Sequence, residues 1–154
     1  HGFTGSDLAQ DPSDRKSVMG YINNFLGPIS WKSNKQEDVS LSTANAEYVA
    51  LSEGTRDLKF LTYLTQSMYP TTNPPTLYCD NMGAIQNCKQ ELNHKRAKHI
   101  DIKHQFVNDE VKKNRINITH VRSTDNIADI LTKPLGKVLF TKLRDRILID
   151  LDKC

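Results

Sequence analysis

The chain has 154 residues, of which 37% are apolar and 25% charged, enough for the core of one domain and too apolar for a disordered chain. No stretch approaches the ~18–20 consecutive apolar residues of a membrane span, and the opening HGFTGSDLAQDPSDRKS lacks the apolar run of a signal peptide. Lys plus Arg number 21 against 18 Asp plus Glu, a formal charge of +3 that permits a polyanionic partner without demanding one.

GFTG reads as the end of a first strand, so that the chain starts abruptly, as a piece of a longer polypeptide would. DPSDRKS is turn chemistry. Tyr21 to Leu26 reads as a second strand, Gly27-Pro28 as a turn, and Ile29 to Lys32 as a third strand anchored by Trp31, expected with Tyr78 in the core. Residues 43–68 predict a long helix, capped by Ser42 or Thr43. Ala46, Val49, Ala50, Gly54, Leu58, Leu61, Leu64 and Met68 recur at helical spacing, and Pro70 would end it. TLYCD, 76–80, is a compact buried strand, followed by a short helix over 81–89. Ile100 to Lys113 has helical spacing, INITHV alternates as a strand, and Ser123, Thr124 and Asp125 are cap candidates for a short helix with Ala128, Asp129 and Leu131. Leu139, Leu143, Ile147 and Leu151 line a last amphipathic helix. The order predicts an α/β fold: a mixed sheet, three antiparallel strands then βαβ, flanked by helices. Residues 1–136 form the domain and 137–154 a C-terminal helix and tail.

Cys79, Cys88 and Cys154 contain no CxxC pair, which argues for a reducing compartment and against zinc. His94, His99 and His104 are spaced by five and share no helical face. GFTGS lacks the lysine of a phosphate loop, and no GxSxG pattern occurs.

The acids are more informative. Asp80 ends an apolar strand and opens a helix, the edge at which α/β sheets build sites. Glu47 lies one turn into the long helix among Ala46, Tyr48 and Val49, Asp129 sits in the apolar NIADIL, and Asp7 lies near the end of the first strand. Each alone suits a cap or a helix dipole. Together they would repel unless a counter-charge held them, and carboxylates without His or Cys ligands suit magnesium or manganese. Two such ions about 3.5–4 Å apart can activate water for phosphodiester hydrolysis.

The stretches GYINNFLGPISWKSNKQEDVSLSTANAEYVAL, LYCDNMGAI, KHIDIKHQFVNDEV and TDNIADILTKPL resemble the ribonuclease H domain of copia-type (pseudovirus class) LTR retrotransposon polyproteins, from about Gly2 to Leu143. The resemblance implies the ribonuclease H-like fold with a five-stranded mixed sheet, and an endonuclease that hydrolyses the RNA strand of RNA–DNA hybrids during reverse transcription. It places Glu47, Asp80 and Asp129 as ligands of two Mg2+ (or Mn2+) ions. It implies two partners, an RNA–DNA hybrid and the reverse transcriptase domain of the same polyprotein, and a place in cytoplasmic retrotransposon particles or the nucleus. The basic HKRAKHIDIKH stretch offers Lys95, Arg96, Lys98 and His99 for phosphates, with Asn45 and Asn81 as hybrid contacts.

The chain departs from the family at the first strand, where a pattern like GYSDADWA reads GFTGSDLA. Gly5 stands at the first acid position, and Asp7, two residues on, is the candidate fourth metal ligand. Two readings follow: an impaired or inactive ribonuclease H-like module that binds nucleic acid or buttresses the polyprotein, or a nuclease in which a slipped or bulged strand lets Asp7 take over. Asn45 stands where the family often has a glutamate, as the capping partner of Ser42.

Overall fold

The computed structural model describes residues 1–8, 13–37, 39–40, 42–89 and 98–148, with the backbone alone at 89 and 98–101. β1 (Gly2–Asp7), β2 (Val18–Asn24) and β3 (Pro28–Lys35) form an antiparallel meander. α1 (Thr43–Gln66) returns the chain to β4 (Thr76–Cys79), which lies parallel to β1. α2 (Met82–Lys89) and α3 (Lys98–Lys112) lead to β5 (Asn117–His120), parallel to β4. Two 3-10 turns, Ser123–Asp125 and Ile127–Leu131, precede α4 (Lys137–Ile147). The strand order is β3-β2-β1-β4-β5, the five-stranded mixed sheet that the sequence predicts.

Helices cover both faces of this sheet. On one, α1 and α3 enclose Tyr48, Leu51, Leu58, Leu77, Cys79 and Val107; on the other, Phe3 and Ile22 pack with Ile127, Ala128 and the fully buried Leu143 of α4. Ser42 begins α1, its extended backbone placing the hydroxyl 3.2 Å from the Asn45 N–H. One of the orphan amides of the first turn is thereby satisfied. α1 then crosses β1 at Gly54, where a Cβ would stand 2.5 Å from Thr4 Cγ2. Only a residue without a side chain allows that approach.

Several expectations are corrected. β2 begins at Val18 and stops at Asn24. Phe25 and Leu26 pass into a tight turn, with φ of 59° at Leu26 and 154° at Gly27. β3 runs on to Lys35 because it stays in register with β2 back to Val18. Trp31 is 64% exposed rather than core. It pairs with Ile22, but β3 is an edge strand, and no described element extends over it. Tyr78 is partly buried and stacks on Phe3 at 4.9 Å between centroids. Leu64 and Met68 are exposed, because α1 outruns the sheet it covers. The expected helix around Asp129 is a pair of 3-10 turns, and Asn126, not the residues before it, caps the second by accepting from the Ala128 N–H. Leu151 and Cys154 lie outside the described residues. Cys79 and Cys88 are buried free thiols.

Gly54→Ala tests the helix–strand approach. Alanine is the better helix former by about 1 kcal/mol, yet the clash with Thr4 should leave a net loss of about 1–3 kcal/mol. Thermal unfolding should show this as a drop in Tm of roughly 2–4 °C per kcal/mol. An unchanged or raised Tm would mean that α1 does not sit this close to β1.

Candidate active site

Parallel pairing aligns the carboxyl ends of β1 and β4, with Thr4 opposite Cys79. The next residue on each strand is Gly5 and Asp80. Acids approach this edge from both faces of the sheet. From the α1 face, Glu47 is buried, its Oε1 2.9 Å from the backbone N–H of Ser6 and its Oε2 4.0 Å from the Cys79 thiol, which donates to it. From the opposite face Asp129, 1% exposed, aims at β1: a Cβ on Gly5 would lie 3.0 Å from its Oδ1. Asn126 anchors this turn to the strand, its buried side-chain amide donating to the Thr4 carbonyl at 2.9 Å.

The acids feel one another. Burial foremost, then the Asp80 charge and, more weakly, Asp129 push the Glu47 carboxyl from 4.5 up to about 8, against the opposing hydrogen bonds of Ser6. Burial also raises Asp129, with Asp80 and Asp7 adding and Lys133 opposing. Lys133 Nζ lies 2.8 Å from Asp129 Oδ2. Burial pulls the Lys133 ammonium down, but Asp129, then Asp80 and Glu47, outweigh it and raise it. Asp129 Oδ1, by contrast, is buried and accepts no hydrogen bond from the described residues. A buried carboxylate oxygen without a donor is costly, and a cation is the ligand that would satisfy it.

Glu47, Cys79 and Asp80 bring one donor atom each to within 4.8 Å of one another, a grouping able to hold a metal ion. Burial keeps the Cys79 thiol well above its ordinary pKa and therefore protonated. The available ligands are then carboxylate oxygens, which fit a hard divalent cation.

Asp7 contributes charge to Asp129. β1 keeps an unbroken register with β2 through Gly5–Gly20, Ser6–Met19 and Asp7–Val18, without the slip or bulge that a takeover needs. Asn81 caps α2, its Oδ1 3.0 Å from the Ala84 N–H, so that the cap is not Asp80. Asn45 lines a cavity of about 550 Å³ between β3 and α1, together with Lys32, Lys35, Arg56 and Lys103. Lys32 and Arg56 pair with Glu53, and Lys35 with Asp14 at 2.9 Å. Lys95 and Arg96 lie outside the described residues, as do the side chains of Lys98 and His99. Residue patterns alone left out Lys133 and Asn126. Both carried a signal: Lys133 is four residues after Asp129 on one helical face, and Asn126 is a capping residue before the apolar IADIL.

No family model matches the chain. It is 37% identical over 150 residues to the retrovirus-related Pol polyprotein from transposon RE2 of Arabidopsis thaliana, covering 96% of this chain and 10% of that polyprotein. Among solved structures, the foamy viral protease-reverse transcriptase in complex with RNA/DNA hybrid superposes with a TM-score of 0.62 at 17% identity, over 85% of this chain and 19% of that one. LC11-RNase H1 in complex with RNA/DNA hybrid gives 0.58 at 15% identity, over 85% of this chain and 91% of that one. The fold is thus that of the ribonucleases H. Within it, the chain belongs to the ribonuclease H domains of retrotransposon Pol polyproteins, and it spans about one tenth of the length of the curated relatives it matches.

The Glu47 carboxyl makes a prediction in chelator. The folded state holds a proton that the unfolded chain releases, so stability should fall as pH rises from about 4.5 to about 8 and level off above. Glu47→Gln should flatten that slope and be more stable than the parent at pH 8, read as Tm against pH. Parallel slopes for the two proteins would place the strain elsewhere.

Proposed function

We propose that the chain is a ribonuclease H-type endonuclease that hydrolyses the RNA strand of RNA–DNA hybrids during reverse transcription, and that Gly5 at the first acid position weakens it. The observation that carries this reading is the convergence of Glu47, Asp80 and Asp129 on the adjoining ends of β1 and β4, with Asp129 Oδ1 buried and undonated. Magnesium or manganese, as one or two ions on these carboxylates, would activate water and offset charge at the scissile phosphate. Water is the nucleophile, and no covalent intermediate forms.

The chain's own groups prepare the site. The Ser6 N–H and the Cys79 thiol orient the Glu47 carboxylate. Lys133 offsets the negative charge beside Asp129. Asp7 adds charge at the rim. Asn45 and Asn81, with Lys95, Arg96, Lys98 and His99, are proposed to contact the hybrid, whose binding should weaken with salt. The work would take place where reverse transcription does, in cytoplasmic particles of the element.

A second reading is favoured by one observation: the regular register of β1 leaves no carboxylate at position 5. In that reading the domain binds hybrid without cutting it. Cleavage of a labelled hybrid in Mg2+ or Mn2+ separates the two. The parent should cut slowly, and Gly5→Asp should cut at least about a hundredfold faster, the scale of one transition-state electrostatic contact. Asp129→Asn should remove that gain. A parent that binds hybrid but does not cut, with Gly5→Asp restoring cleavage, assigns this chain to the binding module. No cleavage by either protein sinks the nuclease reading.

In chelator, Gly5→Asp should cost stability, because its side chain enters within 3.0 Å of Asp129 Oδ1. Adding Mn2+ should then raise the Tm of Gly5→Asp more than that of the parent. Equal shifts would mean that position 5 does not face the metal.

A further inference from the structure

The turn that carries Asp129 also carries a cation. Lys133 lies four residues on, and its Nζ stands 2.8 Å from Asp129 Oδ2. The two oxygens of that carboxylate therefore differ. Oδ2 holds the ammonium. Oδ1 is buried, accepts nothing from the described residues, and stands 3.0 Å from where a Cβ on Gly5 would lie. The side chain of Lys133 is 31% exposed and that of Asp129 2%, so the pair is largely withdrawn from water and little screened by salt. The charges of Asp80 and Glu47 reach the same ammonium. Among the described residues, Lys133 is the side-chain cation that pairs with a carboxylate of the site.

An exposed ion pair at this spacing would add little to stability. This one stands where a divalent cation belongs. An ion bound about 2.0–2.1 Å from an oxygen of Asp129 would share the carboxylate with the ammonium, and the two positive charges repel. One of them must give way. The backbone of Lys133 is held, its N–H donating to the Asp129 carbonyl at 3.2 Å, and Pro134 follows it. The four-carbon stem lets the ammonium turn away while that backbone stays in place. An ammonium that leaves a buried carboxylate needs another anion. The phosphates of nucleic acid are the anions that this edge is proposed to receive.

We propose that Lys133 is a cation that the chain keeps in its own metal site: it competes with divalent ions for Asp129, and a nucleic-acid phosphate draws it off. Metal loading is thereby tied to substrate binding. This rests on the cation site proposed for Glu47, Asp80 and Asp129, and adds the residue that sets when the site fills. The linkage is reciprocal, so Mg2+ should tighten hybrid binding by the factor by which hybrid tightens Mg2+.

The test is a calorimetric titration of Mg2+ into chelator-stripped protein at about pH 8.5, above the range in which Glu47 holds its proton. Lys133→Met and Lys133→Gln remove the charge, the second keeping a donor for Asp129, and Lys133→Arg retains it. Both neutral variants should bind Mg2+ at least about tenfold tighter than the parent, and Lys133→Arg within about twofold of it. The Tm of each neutral variant in chelator should fall by no more than about 4 °C, since one partly exposed contact is lost. The titration is repeated with a hybrid whose RNA strand is 2′-O-methylated and so is not cut. This hybrid should tighten Mg2+ binding at least about tenfold in the parent and by a smaller factor in the neutral variants.

Neutral variants that bind Mg2+ no tighter than the parent overturn the proposal and leave Lys133 as a tether of the Asp129 turn. Lys133→Arg behaving as the neutral variants do overturns it too, as does an equal effect of hybrid on all four proteins. If none of the four binds Mg2+, the cation site itself falls, and this proposal with it. A parent that shows these differences in Mg2+ binding but cuts no hybrid supports the role of Lys133 while the nuclease reading fails, so the two fail separately.

Discussion

Burial of Glu47 and Asp129 beside the charge of Asp80 is the constraint on which this structure turns. Glu47, Asp80 and Asp129 meet at one sheet edge with Asp7 close by, and like charges in a poorly solvated place cost energy. The protein meets that cost in several ways at once. Glu47 holds its proton to about pH 8, Lys133 neutralises one oxygen of Asp129, and Ser6 donates to Glu47. The other oxygen of Asp129 is left without a donor. Such an arrangement is hard to explain as a device for stability, since apolar residues in these positions would cost less. It agrees with the cation site proposed above.

The surrounding fold serves this edge. β1 is the central strand, and each of its faces carries a contact that brings an acid into place. Gly54 lets α1 lie close enough for Glu47 to reach Ser6, and Asn126 ties the Asp129 turn to the Thr4 carbonyl. α1 in turn gives the domain two ends of different chemistry. Its first half carries the acid and lines a cavity with four cations. Its second half is apolar and borders an uncharged loop. A 24-residue helix spans about 36 Å, longer than the sheet it covers, so the two ends are separated by the body of the domain.

Elements with a strong local signal were legible in the sequence. α1 announced itself through Ser42 and its apolar spacing, and β4 through the apolar TLYC before an acid. The three antiparallel strands followed by βαβ order came out as the sheet shows. Three of the misreadings share one cause. Trp31, Leu64 and Met68 are apolar residues at regular spacing, and periodicity tells which side chains share a face but not whether anything covers it. Phe25 and Leu26 read as strand because apolarity outweighed the Gly27 turn beside them.

The sequence by itself determined which acids are available and that the fold is a mixed sheet with helices. These are properties of residue type and order. Tertiary structure alone decided that Asp7 stays in regular register opposite Val18, that Lys133 meets Asp129, and that Asn126 rather than Ser123 holds the turn. Each depends on the register of β1 against its neighbours and on how closely the turn after β5 packs on it. Register and approach are set by contacts between residues far apart in the chain, such as Thr4 with Asn126, and no local pattern encodes those.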